Sequence, residues 1–271
     1  MMSWKYALST ADEAPKTAPI LLTGSLTDNL IKARNLGYNA IEVHTRPEEQ
    51  FDYSSIQAQM AESNVKISAI ITGRLNTEGQ CSLIDDRPYV VQSAIQGMYQ
   101  YINMAEKLNT DIVLGWAKGN VPSAKNKEKY LKRLANKLSI LADYAGERNV
   151  KIFAEVINRY EVNIFTTAKE TMDFINQYHL DNVYVHLDTF HMSIEEANPI
   201  EAISYCKEKL GYFHIADNTR SYPGSGQLNF PHILKALKEI DYTGYLSVEC
   251  LPGENGEQTA KLAIDYLKSI K

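Results

Sequence analysis

The chain has 271 residues, of which 44% are apolar and 23% are charged, as in an ordinary globular protein. Its formal net charge is −5, and the sequence contains no long cluster of lysine and arginine, so the charge does not favour nucleic acid as a partner. The first residues, Met1–Tyr6, contain no apolar signal core, and no apolar run approaches the roughly 20 residues that span a bilayer. We therefore expect a cytoplasmic protein that binds neither nucleic acid nor membranes.

The three cysteines agree with that compartment. Cys81, Cys206 and Cys250 are far apart, odd in number and in no CxxC pattern. This usage argues against a disulfide framework and favours a reducing environment.

In the first half of the chain, short runs rich in β-branched residues alternate with segments of helical periodicity. The predicted strands are Lys5–Ser9, Asn39–His44, Lys66–Ile71 and Asp111–Leu114. The first predicted helix starts near Ser25 or Thr27 and ends at Gly37, and the next ones run over Phe51–Ser63, Tyr89–Leu108 and about Ser123–Gly146. A long loop, Thr72–Arg87, follows the third strand, and loops of that length in compact domains are usually functional.

The second half continues the alternation. The predicted strands are Val150–Glu155, Val183–Asp188, Tyr212–Ile215 and Gly244–Glu249, and the helices are Thr167–Tyr178, Pro199–Leu210, Phe230–Ile240 and about Glu257–Ile270. Eight strand–helix units in this length predict one α/β domain over residues 1–271, a single (β/α)₈ TIM barrel. A Gly-Tyr pair recurs at Gly37, Gly211 and Gly244, which we interpret as three helix ends followed by strands.

Four consecutive strands in the second half carry a potential metal ligand at or near the carboxyl end: Glu155, Asp188, His214 and Glu249. In a barrel these ends converge on one face, where active sites of this fold lie. Three carboxylates and one imidazole suit Mn²⁺, Mg²⁺ or Co²⁺ better than a structural zinc site, which favours thiolates. The sequence therefore predicts a divalent-metal site that leaves positions open for two sugar oxygens. Two further histidines, His186 and His44, are interpreted as barrel filling and as a rim residue.

The second half also resembles a known family. The strings E-V-I-N-R-Y-E (Glu155–Glu161), L-D-T-F-H-M (Leu187–Met192), H-I-A-D-N-T-R (His214–Arg220) with P-G-S-G (Pro223–Gly226), and S-V-E (Ser247–Glu249) resemble the xylose isomerase-like TIM-barrel superfamily. Within it they are most similar to ketose 3-epimerases of the D-tagatose 3-epimerase type, including the 5-keto-L-gluconate epimerase branch. The first half matches only in pattern.

The resemblance implies a metal-dependent isomerase of carbohydrate metabolism. Glu155, Asp188, His214 and Glu249 would hold one divalent ion, Mn²⁺ first, with Co²⁺ or Mg²⁺ as alternatives. Glu155 and Glu249 would also be the acid/base pair that inverts C3 of a ketose through a cis-enediolate. Glu161, His191 and Arg220 would bind the small-molecule sugar near O1–O3. We expect its distal pocket to be shaped by Trp116, the Thr72–Leu83 loop and residues near Ser9 and His44. Homodimers or homotetramers are expected by analogy.

Several alternatives stay open at this point. The same ligands could serve a hydroxypyruvate isomerase-like aldose–ketose isomerase, an inosose-type dehydratase, or an epimerase of a keto-uronate or ketose phosphate. A sugar-binding relative without catalysis is a further alternative. An endonuclease IV-like DNA repair enzyme shares several ligands but needs additional histidines. The corresponding loops here read Ile71-Thr72-Gly73, Leu114-Gly115-Trp116 and Ser221-Tyr222-Pro223.

Overall fold

The computed structural model describes residues 4–270; Met1–Ser3, part of the segment considered for a signal, and Lys271 lie outside it. Its strands are β1 (Lys5–Ala11), β2 (Leu22–Thr23), β3 (Ala40–His44), β4 (Lys66–Ile71), β5 (Ile112–Leu114), β6 (Ile152–Glu155), β7 (Val183–Asp188), β8 (Leu210–Ile215) and β9 (Tyr245–Val248). Its α-helices are α1 (Leu26–Leu36), α2 (Tyr53–Ser63), α3 (Arg74–Thr77), α4 (Pro88–Leu108), α5 (Lys127–Gly146), α6 (Ala168–Gln177), α7 (Thr189–Glu195), α8 (Pro199–Tyr205), α9 (Phe230–Glu239) and α10 (Gly256–Ser269).

The strands form a closed parallel barrel. Within residues 4–270, β1 and β3 to β9 pair in chain order, and β1 closes the sheet on β9 with Leu8 opposite Val248. The two residues of β2 pair with Thr10 and Ala11 of β1, on the edge of β1 opposite β3. This arrangement confirms the predicted (β/α)₈ fold; that one domain extends over all of residues 1–271 stays a prediction. Because every pair is parallel, the carboxyl ends of all eight barrel strands lie at one face.

The barrel interior begins with an apolar layer. Ala69, Ile71, Val113, Phe153 and Tyr212 form a buried cluster of their own, separate from the larger core between strands and helices. The rings of Phe153 and Tyr212 stack with centroids 5.5 Å apart and planes within 8°. This layer lies one inward step before the charged strand ends, since side chains of a strand alternate with period two.

The structure corrects the prediction between Asp188 and His214. The sequence predicts a single helix from Pro199 to Leu210, but α8 ends at Tyr205 and Leu210 already belongs to β8. The short helix α7, which the sequence does not predict, follows β7 directly. Asp188 causes that immediate start, because its Oδ1 accepts the backbone N–H of Phe190 at 2.7 Å as the helix N-cap.

The recurring glycines do not share one role. Gly37 ends α1 with φ of 90°, the left-handed conformation expected at a helix end. Gly211 instead lies inside β8, and a Cβ there would come within 2.5 Å of the Phe153 ring. Gly211 is therefore needed for close packing, and the interpretation of three equivalent helix ends is wrong for this position.

Across residues 4–270, no helix combines the length and the apolar composition that crossing a membrane requires.

Candidate metal centre and active site

The four predicted ligands lie together at the carboxyl face of the barrel. Glu155 and Asp188 are the last residues of β6 and β7, His214 is in β8, and Glu249 directly follows β9. All four side chains are buried. Since β6 to β9 are neighbours in the sheet, their ends form one side of the barrel mouth.

Asp188, His214 and Glu249 each offer one ligand atom within 4.8 Å of the others. His214 Nδ1 lies 3.8 Å from Asp188 Oδ2 and 3.5 Å from Glu249 Oε2. Glu155 makes a comparable group with Asp188 and His191, and another with His214 and His186. Among the described residues, Glu249 thus shares one group with both Asp188 and His214, whereas Glu155 shares one group with Asp188 and a second group with His214.

Two atoms of this cluster fit a bound cation. Asp188 Oδ2 and His214 Nδ1 are buried without a hydrogen-bond partner, although the other atom of each side chain is bonded. A buried polar atom left without a partner costs about 1–3 kcal/mol. Carboxylate oxygens and one imidazole nitrogen are the donors that Mn²⁺, Mg²⁺ and Co²⁺ accept. The residues present therefore form a cluster able to hold a divalent ion.

The two glutamates sit in opposite electrostatic environments. Burial and the nearby carboxylate of Glu249 raise the pKa of Glu155 to about 8. Burial alone would raise the pKa of Glu249 as well, but His214 and Arg220 outweigh it and lower that pKa to about 2. A pair of carboxyl groups with separated pKa values is a recurrent arrangement of acid/base sites.

The three predicted sugar-binding residues border the same cluster. Arg220 Nη2 donates to Glu249 Oε2 at 2.7 Å, and Nη1 lies 3.7 Å from Glu161 Oε1. His191 Nε2 lies 3.8 Å from Asp188 Oδ2 and 3.9 Å from Glu155 Oε1. Arg220 also adopts φ of 58°, a left-handed conformation that costs about 1 kcal/mol or more in a non-glycine residue and is typical of functional sites.

The sequence of residues 30–270 matches the model of the xylose isomerase-like TIM barrel family. The chain belongs to this family. The resemblance predicted from the motifs in the second half is thereby confirmed.

Several similar proteins are carbohydrate epimerases, a class of isomerase, as the motif resemblance predicts, and a hydroxypyruvate isomerase of Escherichia coli (strain K12) also matches, at 25% identity over 137 residues. The L-ribulose 3-epimerase of Methylomonas sp. (strain DH-1) is 29% identical over 225 residues, which cover 82% of this chain and 77% of that protein. The 3-dehydro-D-guloside 4-epimerase of Escherichia coli (strain K12) is 33% identical over 118 residues, 44% of this chain and 45% of that protein. In structure, the D-allulose 3-epimerase from Methylomonas sp. in complex with D-allulose has a TM-score of 0.82 at 23% identity, covering 99% of this chain and 97% of that chain, which shows the shared fold.

Asn158 is a residue of this xylose isomerase-like site for which the sequence predicts no role. Its side-chain amide donates to Glu161 Oε1 at 2.9 Å and to His191 Nδ1 at 2.7 Å. Because Nδ1 of His191 accepts, Nε2 carries the proton and faces Glu155 and Asp188. The only sequence signal was the position of Asn158 inside the E-V-x-N-R-Y-E string.

Two buried charges were also missed, Glu42 in β3 and Lys118 in the turn after β5. Lys118 Nζ donates to the carbonyl of Gly115 at 3.1 Å. Burial lowers the pKa of Lys118 to about 8, although the carboxylates of Glu155 and Glu161 act in the opposite direction. Glu42 carried a sequence signal, an inward position two residues before His44, whereas Lys118 carried none.

Trp116 and part of the Thr72–Leu83 loop, both predicted to shape a distal pocket, line a cavity beside Glu161, whereas His44 lines a different cavity and the distal pocket itself stays a prediction. Trp116 lies 3.5 Å from where a Cβ on Gly73 would be, and it lines a cavity of about 540 Å³ together with Asn76, Gln80 and Glu161. The cavity therefore joins the loop after β4 to the rim of the family's active-site face.

Proposed function

We propose that this protein is a divalent-metal-dependent epimerase that inverts C3 of a ketose. Glu155, Asp188, His214 and Glu249 would hold the ion, with Mn²⁺ as the first candidate and Co²⁺ or Mg²⁺ as alternatives. The observation that carries the proposal is that two buried glutamates, Glu155 and Glu249, each have a carboxylate oxygen within 4.8 Å of ligand atoms of Asp188 and His214. The names of the relatives support a ketose as substrate and C3 as the reacting centre.

The chain's own residues account for the proton transfers. A divalent ion bound here would supply Lewis-acid chemistry, withdrawing electron density from the C2 carbonyl of the sugar. Glu155 or Glu249 removes the C3 proton to give a cis-enediolate, and the other glutamate returns a proton to the opposite face. Inversion requires carboxyl groups on two sides of the substrate, and we assign these two positions to Glu155 and Glu249.

Arg220, Glu161 and His191 would orient the sugar. The Arg220 guanidinium lies beside Glu249 and 4.8 Å from the Phe190 ring centroid, where it can place positive charge near the developing enediolate. Glu161 and His191, fixed by Asn158, offer an acceptor and a donor to adjacent hydroxyl groups.

The charges around the barrel mouth favour an uncharged sugar over a phosphate or uronate. Arg46 and Arg74, in the loops after β3 and β4, both bind Asp12, and Arg87 binds Asp85. These arginines are already neutralised, whereas an anionic substrate is usually held by a cation that is free to form charge-assisted hydrogen bonds. We therefore propose a free ketose as the substrate.

Proton exchange in D₂O tests the reaction. We would incubate the Mn²⁺-loaded protein with free ketoses, keto-uronates and ketose phosphates, remove the metal, and record NMR spectra of the sugars. Deuterium at C3 together with the C3 epimer of a free ketose is the expected result. Deuterium at C1 or C2 with an aldose product would replace the proposal by aldose–ketose isomerisation, and inversion at C4 would move the reacting centre. Exchange that persists after verified metal removal would contradict the Lewis-acid role.

A further inference from the structure

Glu42 is a fully buried carboxylate in the barrel interior with four hydrogen-bond donors around it. Its Oε2 accepts from Ser247 Oγ at 2.7 Å, from His214 Nε2 at 2.8 Å and from the Tyr212 hydroxyl at 3.1 Å. Its Oε1 accepts from His44 Nε2 at 3.2 Å. Glu42 thus reaches from β3 across the barrel to β8 and β9.

This arrangement fixes where the protons are. An ionised carboxylate has about four acceptor sites and no donor, so four donors saturate Glu42 only when it carries no proton. His214 then donates from Nε2, and when the ring is neutral its Nδ1 is an acceptor. That Nδ1 atom is the one left without a partner, facing Asp188 Oδ2 and Glu249 Oε2.

We propose that Glu42 is a positioning residue that fixes the ring orientation and the tautomer of His214, so that Nδ1 is presented to the cation of the active site. The inference rests on the proposed function for the cation but not on the identity of the sugar. When a carboxylate that accepts a hydrogen bond from the non-ligating nitrogen of a metal-bound histidine is mutated, metal affinity typically falls about 10- to 100-fold.

Glu42 reaches the acid/base group by a second route. His44 Nε2, which donates to Glu42 Oε1, also lies 3.6 Å from Glu249 Oε1. Ser247, two residues before Glu249 on the inward face of β9, donates to the other oxygen of Glu42. The same carboxylate therefore organises the surroundings of one ligand directly and of a second ligand through its neighbours.

The test compares Glu42→Gln, Glu42→Asp and Glu196→Gln. Glutamine offers one acceptor oxygen and a donating amide to four donors, so its contacts cannot all be kept. Aspartate keeps the charge on a shorter side chain. Glu196 is a partly buried carboxylate outside this cluster, and it accepts a hydrogen bond of 2.7 Å from the backbone N–H of Ala168. Glu196→Gln therefore controls for the loss of a buried charge.

The first readout is Mn²⁺ affinity, measured by electron paramagnetic resonance of the free ion. We expect Glu42→Gln to bind Mn²⁺ about 10- to 100-fold more weakly than the unmodified protein, Glu42→Asp to lose less, and Glu196→Gln to match the unmodified protein. Affinity of Glu42→Gln within twofold of the unmodified protein would overturn the inference.

The second readout needs no Glu42 variant and stays decisive if Glu42→Gln does not fold. The ¹⁵N spectrum of histidine-labelled, Mg²⁺-loaded protein should show His214 protonated at Nε2, with the signal assigned by its absence in His214→Asn. A proton at Nδ1 would overturn the inference. If the protein epimerises a ketose but its Mn²⁺ affinity does not depend on Glu42, only the positioning role is rejected. If the Mn²⁺ affinity depends on Glu42 but no epimerisation occurs, only the proposed reaction is rejected.

Discussion

Two layers of the same four strands differ in what they do for the molecule. The lower inward positions of β6 to β9 carry aromatic rings, and the upper inward positions carry the candidate ligands: Phe153 below Glu155, Tyr184 below Asp188, Tyr212 below His214 and Tyr245 below Glu249. Each pair is two or four residues apart, so roughly 7–13 Å of strand separates packing from chemistry.

The lower layer stabilises the fold and the upper layer costs stability. Phe153 is 4% exposed and stacks on Tyr212, an arrangement that adds to the gain from apolar burial. The upper layer gathers buried carboxylates around atoms without hydrogen-bond partners. The comparison indicates that β6 to β9 place their buried, unpartnered carboxylate and imidazole atoms toward the face where a ligand can relieve the cost.

The largest expected effect comes from neutralising the upper layer. Glu155→Gln and Glu249→Gln should each lower kcat about 1,000-fold or more, because each removes a proposed proton-transfer group and a proposed metal ligand. Glu155→Gln should also raise the melting temperature of the metal-free protein at neutral pH, since burial and Glu249 raise the pKa of Glu155 to about 8, and a raised carboxyl pKa lowers stability above the ordinary pKa of glutamate.

Steady-state kinetics with the ketose identified by NMR and calorimetry after chelation check both effects. Near-normal kcat in either variant would contradict the two-carboxylate mechanism. A lower melting temperature of metal-free Glu155→Gln would contradict the division into a stabilising and a destabilising layer.

The reverse change breaks the lower layer. Phe153→Ala should lower the free energy of unfolding by about 3–5 kcal/mol, because it removes the stacked ring and leaves a cavity beside Gly211. Denaturant titration measures the loss. Phe153→Leu should lose less, and the kcat of either variant per folded molecule should stay within a few-fold of the original. A kcat loss comparable to that of Glu155→Gln would show that the two layers are not separable.

The layering also explains what the sequence could predict. The strand that ends at Glu155 is visible in the sequence because a short apolar run rich in β-branched and aromatic residues precedes the glutamate, and similar short runs precede Asp188 and Glu249. The role of Glu42 was hidden because its partner His214 is 172 residues away and no local pattern connects them. Lys118 was missed for a related reason: its burial depends on how the turn after β5 packs against the glutamates, not on its neighbours in sequence.

Arg220→Gln should have an intermediate effect at the rim above both layers. The variant loses the ion pair with Glu249 and the cation over Phe190, so we expect kcat/KM to fall about 10- to 100-fold. The melting temperature should change little compared with Phe153→Ala. Arg159→Gln is the matched control, because Arg159 belongs to the E-V-I-N-R-Y-E string, also forms an ion pair, with Glu195, and is largely exposed. Equal losses in both variants would argue against a specific role for Arg220 in the reaction.

The last expected effect concerns Lys118 and tests whether burial of its charge also lowers the stability of the folded protein. Its pKa is about 8 in the folded chain against an ordinary value of 10.5, so the unfolded chain binds more protons between these pH values. Stability of the metal-free protein should therefore rise with pH in that interval. Lys118→Met should be more stable than the original by about 3 kcal/mol at pH 7, and this advantage should shrink as the pH approaches 10. Lys235→Met, at a largely exposed lysine, should show neither change in denaturant titrations. If Lys118→Met is instead less stable at pH 7, attraction to Glu155 and Glu161 outweighs the burial cost, and Lys118 belongs with the stabilising part of the barrel.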